Sequence, residues 1–433
     1  MKTRIKLMSR SEKSNLMNIM FLLFSLLFFS NNVYSCETET PVDHIFPYCE
    51  IDGIKYKYDP ETLTATVIDS WRVEYKSIGE CSYYYVPLTQ GYATMSSVTI
   101  PSTIIPPGET QEYTVTKISH AFHFLPSYYG VFPSPQEVSI PETIEEIYIS
   151  FESCDKLKEF NLKNVRYIDS HSLRSCLNLE SFQINDNNPA YSVRDGMLYN
   201  KAGDTLIFVP AGRYKISYKL EIPEGTITIG EDAFSLGKIE KIICPSTLVS
   251  IDTFAFDLNT NLRSILFNKG LKRIGYGAFL HCTNLTDISL PEGLEEIGYA
   301  AFEGCPLRRV IIPASVRVAD DPFNGDVSLV FIGTTPPDAE RSLDYNNNPK
   351  EYTGTLYVPE EALQAYQEHV FWGQYQSIIG YTDLDELLAS LPSSVSSPYH
   401  QATPAPIFDI QGRKLNQVPN KGLYIKNKKK WLK

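Results

Sequence analysis

The chain has 433 residues, a formal charge of −12 at neutral pH, 43% hydrophobic residues and eight cysteines. A chain of this length can bury a sizeable core, and its acidic balance argues against a nucleic-acid partner, whose electrostatic footprint is basic. It contains no H-E-x-x-H, G-x-S-x-G, phosphate-loop or dinucleotide fingerprint, so no catalytic residue, cofactor or metal is assigned and the chain is not read as an enzyme.

Leu16–Phe29 is an apolar run behind Lys2, Arg4, Lys6, Arg10 and Lys13, and the small residue Ser35 follows. It is short of the roughly 20 residues needed to span a bilayer, so residues 1–35 are expected to be a signal peptide. The mature chain is then exported, to the cell surface (outer membrane) or to the medium. Val33-Tyr34-Ser35-Cys36 admits two readings: lipidation of Cys36 after cleavage, or ordinary cleavage after Ser35.

Residues 36–94 form an expected N-terminal β cap. Two alternating runs, Ile51–Tyr58 and Thr62–Ile68, flank the turn signal Asp59-Pro60-Glu61. Cys49 and Cys81 lie together in this cap, and export permits a disulfide between them.

From 95 to 333 the chain repeats itself. Leu271-Lys272-Arg273-Ile274-Gly275-Tyr276-Gly277-Ala278-Phe279 returns 23 residues later as Leu294-Glu295-Glu296-Ile297-Gly298-Tyr299-Ala300-Ala301-Phe302. Units of this length cannot bury their apolar side alone and must stack. One landmark is the anchor series Phe234, Phe256, Phe279, Phe302 and Phe323; Leu173 and Phe151 hold its place in looser copies, and Phe122 is its first member. The other is a short L-x-x-I-x-L strand often closed by proline, as at Val138–Pro141, Leu220–Pro223, Ile239–Pro245, Leu285–Pro291 and Leu307–Pro313. Each coil then reaches a second apolar pair, such as Leu271 and Ile274, before the anchor. The expected fold is an α/β repeat solenoid, β-rich, with a parallel sheet on one face and short helical or 3₁₀ turns on the other. Stacking at about 4.8 Å per coil lets backbone groups pair between coils.

One interruption falls at about 185–212, where Asp195-Gly196 and Ala202-Gly203-Asp204 punctuate alternating runs; it reads as a β-hairpin protruding from the stack. Residues 334–380 are the expected C-terminal cap: Leu356–Pro359 adds a strand, Pro359–His369 a helix, and Trp372 and Tyr375 pack over the last coil. Residues 381–406 read as a linker and 407–433 as a basic terminal tail.

The phrase I-P-x-x-(L/V)-x-x-I-x-x-x-A-F-x-x-C-x-x-L, cleanest at Pro245–Leu262 and Pro291–Leu307, resembles the BspA-like leucine-rich-repeat family of bacterial surface proteins. The resemblance extends to the hairpin and the closing cap and covers roughly three quarters of the chain. Ile407–Lys414 with Lys421–Ile425 resembles the C-terminal sorting tails of Bacteroidetes secreted proteins. The resemblance implies a leucine-rich-repeat stack, display at the cell surface and adhesion to host matrix proteins or other cells; it carries over no catalytic residues.

Cys154, Cys176, Cys282 and Cys305 each stand three residues after the anchor place, which reads as core. His120 and His123 have no partner at metal-ligand spacing, Asp186-Asn187-Asn188 reads as turn chemistry, and Glu145-Glu146 and Glu295-Glu296 read as solvated corners. What remains free to evolve function is the outward row of the strands. Its C-terminal half carries Ile243, Leu266, Ser289 and Ile311, flanked two places earlier by Asp287 and Arg309. Aliphatic residues on a wet face mark an interaction site, so this row is the candidate binding face for a protein or glycan ligand. The alternative is a structural or assembly component of the cell envelope, in which the solenoid is a spacer and its ends make the contacts.

Overall fold

A computed structural model describes residues 47–52, 54–68, 97–119, 121–122, 135–214, 219–234, 239–339 and 350–391, and short strands at 407–409, 414–415, 423–426 and 429–432. The repeats wind as a parallel β-solenoid. Isoleucine, valine and phenylalanine at the inward strand positions are buried in successive coils, and pairing one coil's backbone with the next satisfies groups that a single coil leaves open.

Two rows of strands run along the stack. The front row begins with Ser97–Thr99 beside Glu137–Ser139 and continues with Glu159–Asn161 beside Ser181–Gln183. It resumes with Lys219–Glu221, Lys241–Ile243 and Ser264–Leu266, then Arg309–Ile312, Ser328–Phe331, Thr355–Pro359 and Ser377–Tyr381. The second apolar pair of each coil is also a parallel ladder. Tyr113–Ser119, Glu146–Tyr148 and Tyr167–Ile168 form its first part, and Thr228–Ile229 through Val318–Ala319 its second. The coil is therefore more strand-rich than expected. The anchors sit in tight turns, and a complete 3₁₀ turn forms at Ser170–Leu173.

Behind the strands the anchor rings form a column. Phe234, Phe256, Phe279, Phe302 and Phe323 stack with centroids 4.6, 4.8, 5.0 and 5.4 Å apart, and Phe122 and Phe151 stack at 5.3 Å. Leu173 is buried at the same place. The residue two before the anchor adopts a left-handed backbone in coil after coil: Asp232, Phe254, Gly277, Ala300 and Asp321. At Gly277 the conformation and the space coincide, because a Cβ there would stand 2.5 Å from the Phe254 ring.

The cysteine landmark has a job the sequence reading did not give it. Each thiol donates to the carbonyl of the anchor residue one coil earlier: Cys154 to Phe122, Cys176 to Phe151, Cys282 to Phe256 and Cys305 to Phe279, at 3.1–3.5 Å. Asn259 occupies the same place after Phe256, and its amide donates to the Phe234 carbonyl at 2.5 Å. The thiol adds a second donor to a buried turn carbonyl that, at Phe151, Phe256 and Phe279, already accepts a backbone amide three residues on.

Three expectations need correction. First, the insertion does not protrude. Tyr191–Arg194, Met197–Asn200 and Thr205–Phe208 make a three-stranded antiparallel meander whose last strand pairs with Thr228–Ile229. Met197, Leu198 and Tyr199 are fully buried, Leu198 in one hydrophobic cluster and its two neighbours in the other. Alternation along one strand thus faces the two halves of the core, which is why the meander is built into the stack. Second, residues 285–290 form no ladder; Ile288 and Leu290 are buried, but the front sheet is broken there. Third, the segment read as a linker from 381 begins with a helix, Leu384–Ser390, capped by the Asp383 carboxylate, which accepts from the Glu386 backbone amide at 2.9 Å.

At the N-terminal end Ile54–Asp59 and Thr64–Ile68 form an antiparallel hairpin, and Asp59 accepts from the Glu61 amide in the turn. The second of these strands pairs in parallel with Tyr113–Ser119. At the other end Thr355–Pro359 is followed by a 3₁₀ turn and the helix Leu363–Glu368. Trp372 is buried edge-on against Phe331, and its indole N–H donates to the Pro337 carbonyl at 2.8 Å. The tail strands make a separate four-stranded antiparallel sheet. Among the described residues no helix is long and apolar enough to cross a membrane; the apolar run Leu16–Phe29 lies outside them.

Candidate functional site

The front row presents its outward side chains in register because each strand is pinned from behind by buried neighbours. Leu266 is 44% exposed, Ile243 beside it is half-buried, and Lys241 is exposed at the edge of the same strand. Ile311 is a correction: it is 5% exposed and belongs to the core. Its ladder partner is Val330, itself fully buried, and Val330 in turn pairs with Tyr357. Three large side chains on adjacent rungs replace the open face expected there. Ser289 and Asp287 are half-buried in the coil without a ladder, and Arg309 is half-buried at the start of the next strand. The six candidate residues therefore do not form one continuous patch; Ile243 and Leu266 do.

The N-terminal half of the same face is polar and concave. Gln136, Glu137, Lys156, Lys158, Glu159, Asn161, Asn178 and Gln183, with the apolar Val138 among them, line a shallow recess of about 770 Å³. Gln183 bridges its rungs, donating to Glu159 at 3.1 Å and standing 3.4 Å from the Asn161 amide. Strand spacing alone does not reveal the recess, because the loop residues Lys156, Lys158 and Asn178 form part of its wall.

On the side of the anchor turns lies a cluster that the sequence reading missed altogether. The 3₁₀ turn Ser170–Leu173 places His171 and Arg174 toward coils more than 60 residues ahead. His171 Nδ1 is 3.3 Å from Asp169, and its Nε2 is 3.4 Å from Asp232. Arg174 donates to Asp257 Oδ2 at 2.7 Å. Glu152 and Glu231 stand in the same electrostatic neighbourhood. Asp232 is 2% exposed, and one carboxylate oxygen each of Asp232 and Asp257 is buried with no hydrogen-bond partner. Burial pushes the Asp257 carboxyl up to about 7 despite Arg174, and raises Glu152 and Glu231 as well. The hydrogen bond to Asp169 raises the His171 imidazole, while Asp169 itself is held below the usual carboxylate range by the same bond. One sequence signal could have found this cluster: Asp257 follows its anchor directly, where other copies have Leu280 and Glu303.

The remaining candidates resolve simply. Cys154, Cys176, Cys244, Cys282 and Cys305 are buried free thiols, and burial raises those of Cys176 and Cys244 to about 12. Cys49 is a half-buried free thiol raised by burial; Cys36, Cys81, His120 and His123 lie outside the described residues. Asn188 is fully buried and satisfied, its amide donating to the carbonyls of Lys163 and Val165 and its oxygen accepting from Ala190 and Tyr191. That is turn chemistry. The acid pair Glu295-Glu296 meets Lys272 and Arg273 of the preceding coil across the surface. Among the described residues no three histidine, cysteine or carboxylate side chains converge as metal ligands.

Fold and face together define a leucine-rich-repeat solenoid. Residues 128–201 and 213–329 match the BspA type leucine rich repeat region, in six copies. No curated protein matches the chain in sequence. Among solved structures, the pneumococcal vaccine antigen PcpA aligns at 16% identity over 78% of this chain and 99% of its own, with a TM-score of 0.46. A leucine-rich repeat protein from Bacteroides ovatus aligns at 20% identity over 76% of each chain, with a TM-score of 0.40. One from Eubacterium ventriosum aligns at 17% identity over 77% of this chain and 92% of its own, with a TM-score of 0.43.

Proposed function

We propose that this chain is an exported, surface-displayed, non-enzymatic binding protein that engages a host or bacterial protein, or a glycan, through the outward face of its front strands. The observation that carries this reading is the exposure of Leu266, with Ile243 beside it, on strands whose inward side chains are locked in the core. An exposed leucine with a half-buried isoleucine beside it, held outward by paired strands, is an interaction feature rather than a folding one. The polar recess of the N-terminal half extends the same face and supplies amide and charged groups for a rim. Affinity would come from area and from many modest contacts along the repeats. An apolar leader at residues 1–35 and the sorting-like tail at 407–433 are consistent with export.

The test is capture from serum or mucus proteins and a glycan array by the wild-type chain, repeated with the double variant Ile243→Asp and Leu266→Asp. The double variant is expected to keep the wild-type melting temperature and lose at least tenfold in affinity for whatever ligand the wild type captures. Full retention of binding by a folded double variant would place the ligand elsewhere. Ligand capture that depends only on the caps would favour the structural, spacer reading.

A further inference from the structure

The insertion cuts the solenoid more deeply than its surface suggests. The front sheet stops at Ser181–Gln183 and restarts at Lys219–Glu221, with no ladder between them. The second row also stops, at Tyr167–Ile168, and its next strand across the gap, Tyr191–Arg194, does not pair with it. The hydrophobic core divides at the same level into two clusters. Backbone continuity across this seam is reduced to isolated bonds. The Gly212 amide donates to the Leu179 carbonyl at 2.7 Å, and the Ile168 amide donates to the Tyr191 hydroxyl at 2.9 Å.

On the anchor side the seam is closed by charge. Arg174 and His171 from the N-terminal half meet Asp257 and Asp232 from the C-terminal half. Asp257 is faced by Arg174, by Asp232 and, from the next coil, by the Cys282 thiol. Glu152 is faced by Arg174, His171 and Asp232; His171 by Asp169, Asp232 and Arg174. Glu231 is faced by Asp232, His171, Asp169 and Asp252. The cluster thus gathers five carboxylates, Glu152, Asp169, Glu231, Asp232 and Asp257, around two cations. Two of those carboxylates keep a buried oxygen with no donor. Among the described residues no three histidine, cysteine or carboxylate side chains converge there as metal ligands.

We propose that this seam is a proton-operated clasp: protonated, it locks the two halves of the solenoid together, and on the alkaline side of neutral, charge repulsion loosens it and lets the halves flex about the insertion. A protonated carboxyl supplies the donor that the orphaned oxygens lack and removes one negative charge from a buried, low-dielectric site. The sign follows from linkage. Asp257, Glu152 and Glu231 have folded-state values above their ordinary ones, and so does His171, so the folded seam binds protons more tightly than the unfolded chain. Its contribution is present at mildly acidic pH and is lost as pH rises through the neutral region where Asp257 titrates. Asp169 works in the opposite sense, but only at strongly acidic pH, where a carboxylate held low finally protonates.

The experiment is hydrogen exchange read by mass spectrometry on the full chain at pH 6 and pH 8.5, corrected for the intrinsic pH dependence of exchange. Segments 150–154, 169–176, 230–234 and 252–259 are expected to exchange roughly tenfold faster at pH 8.5, the equivalent of one unit of lost differential protonation. Segment 309–331, beyond the coil that carries Cys282 against Asp257, should show no such change. Asp257→Asn, which is neutral at both values, should abolish most of the difference. Should that variant misfold, Glu152→Gln serves as a second, independent reduction of the same charge. An identical pH response in seam and distant segments, or a seam response unaltered in the folded variant, overturns the proposal.

Discussion

Arg174 donates to Asp257 across 83 residues of sequence, at 2.7 Å and with both side chains about nine-tenths buried. The pair joins the coil before the insertion to the second coil after it. Its partners are unequal: Asp257 keeps an oxygen without a donor, so burial outweighs the cation and holds its carboxyl near 7. Removing Arg174 therefore strands a buried carboxylate. Arg174→Met should cost about 3–5 kcal/mol at pH 8, the usual loss when one member of a buried pair is deleted. The cost should shrink at pH 6, where Asp257 accepts a proton instead. Urea unfolding at the two pH values checks both statements; equal costs would mean that Asp257 stays ionised throughout.

The front face separates two residues that the sequence pattern placed in one row. Leu266→Asp should leave stability within about 0.5 kcal/mol of wild type, since the residue is 44% exposed and its backbone is held by its neighbours. Ile311→Asp buries an unpaired carboxylate beside Val330 and should cost several kcal/mol or prevent folding. Thermal melts of the two variants decide the matter. A stable Ile311→Asp protein would return that residue to the surface.

Cysteine here is a hydrogen-bond donor for a buried turn. Cys282→Ala removes one of two bonds to the Phe256 carbonyl, which still accepts from the Asn259 amide, for a loss of about 0.5–1.5 kcal/mol. Asn259, which serves the Phe234 carbonyl in the same way, supports reading the position by function rather than by sulfur chemistry. Position-resolved thiol labelling should find Cys154, Cys176, Cys244, Cys282 and Cys305 inert until the chain unfolds, because all five are buried from reagent and burial raises the thiols of Cys154, Cys176, Cys244 and Cys282. Rapid labelling of any of these five in the native protein would contradict the packing.

The solenoid was legible because it is periodic: Phe234 through Phe323 announce one column, and strict spacing leaves few other ways to bury them. The cap aromatics Trp372 and Tyr375 were legible for the same reason, being large apolar residues after a stop in the pattern. What periodicity conceals is long-range pairing. Nothing local distinguishes Arg174 from a solvated corner such as Arg273; its partner Asp257 is brought near only because the meander folds inside the stack. Ile311 was misplaced because the outward position is wet only where nothing lies across it, and alternation along one strand carries no information about that.

The column itself invites a graded test at Phe279, whose ring is stacked on Phe256 at 4.8 Å and on Phe302 at 5.0 Å, nearly parallel to both. Phe279→Ala opens a cavity between two rings that cannot close up, since each is fixed by its own coil and by a further neighbour. The expected cost is about 3–5 kcal/mol. Phe279→Leu should cost much less, about 1–1.5 kcal/mol, because a leucine already fills this place at Leu173 and is 2% exposed there. Because each coil contacts only its neighbours, the damage should be local: the coils of Phe256 and Phe302 lose protection against hydrogen exchange, and the N-terminal half does not. Denaturant midpoints for the two variants separate volume from ring geometry. If leucine proves as costly as alanine, ring-on-ring contact rather than filled space holds the column together.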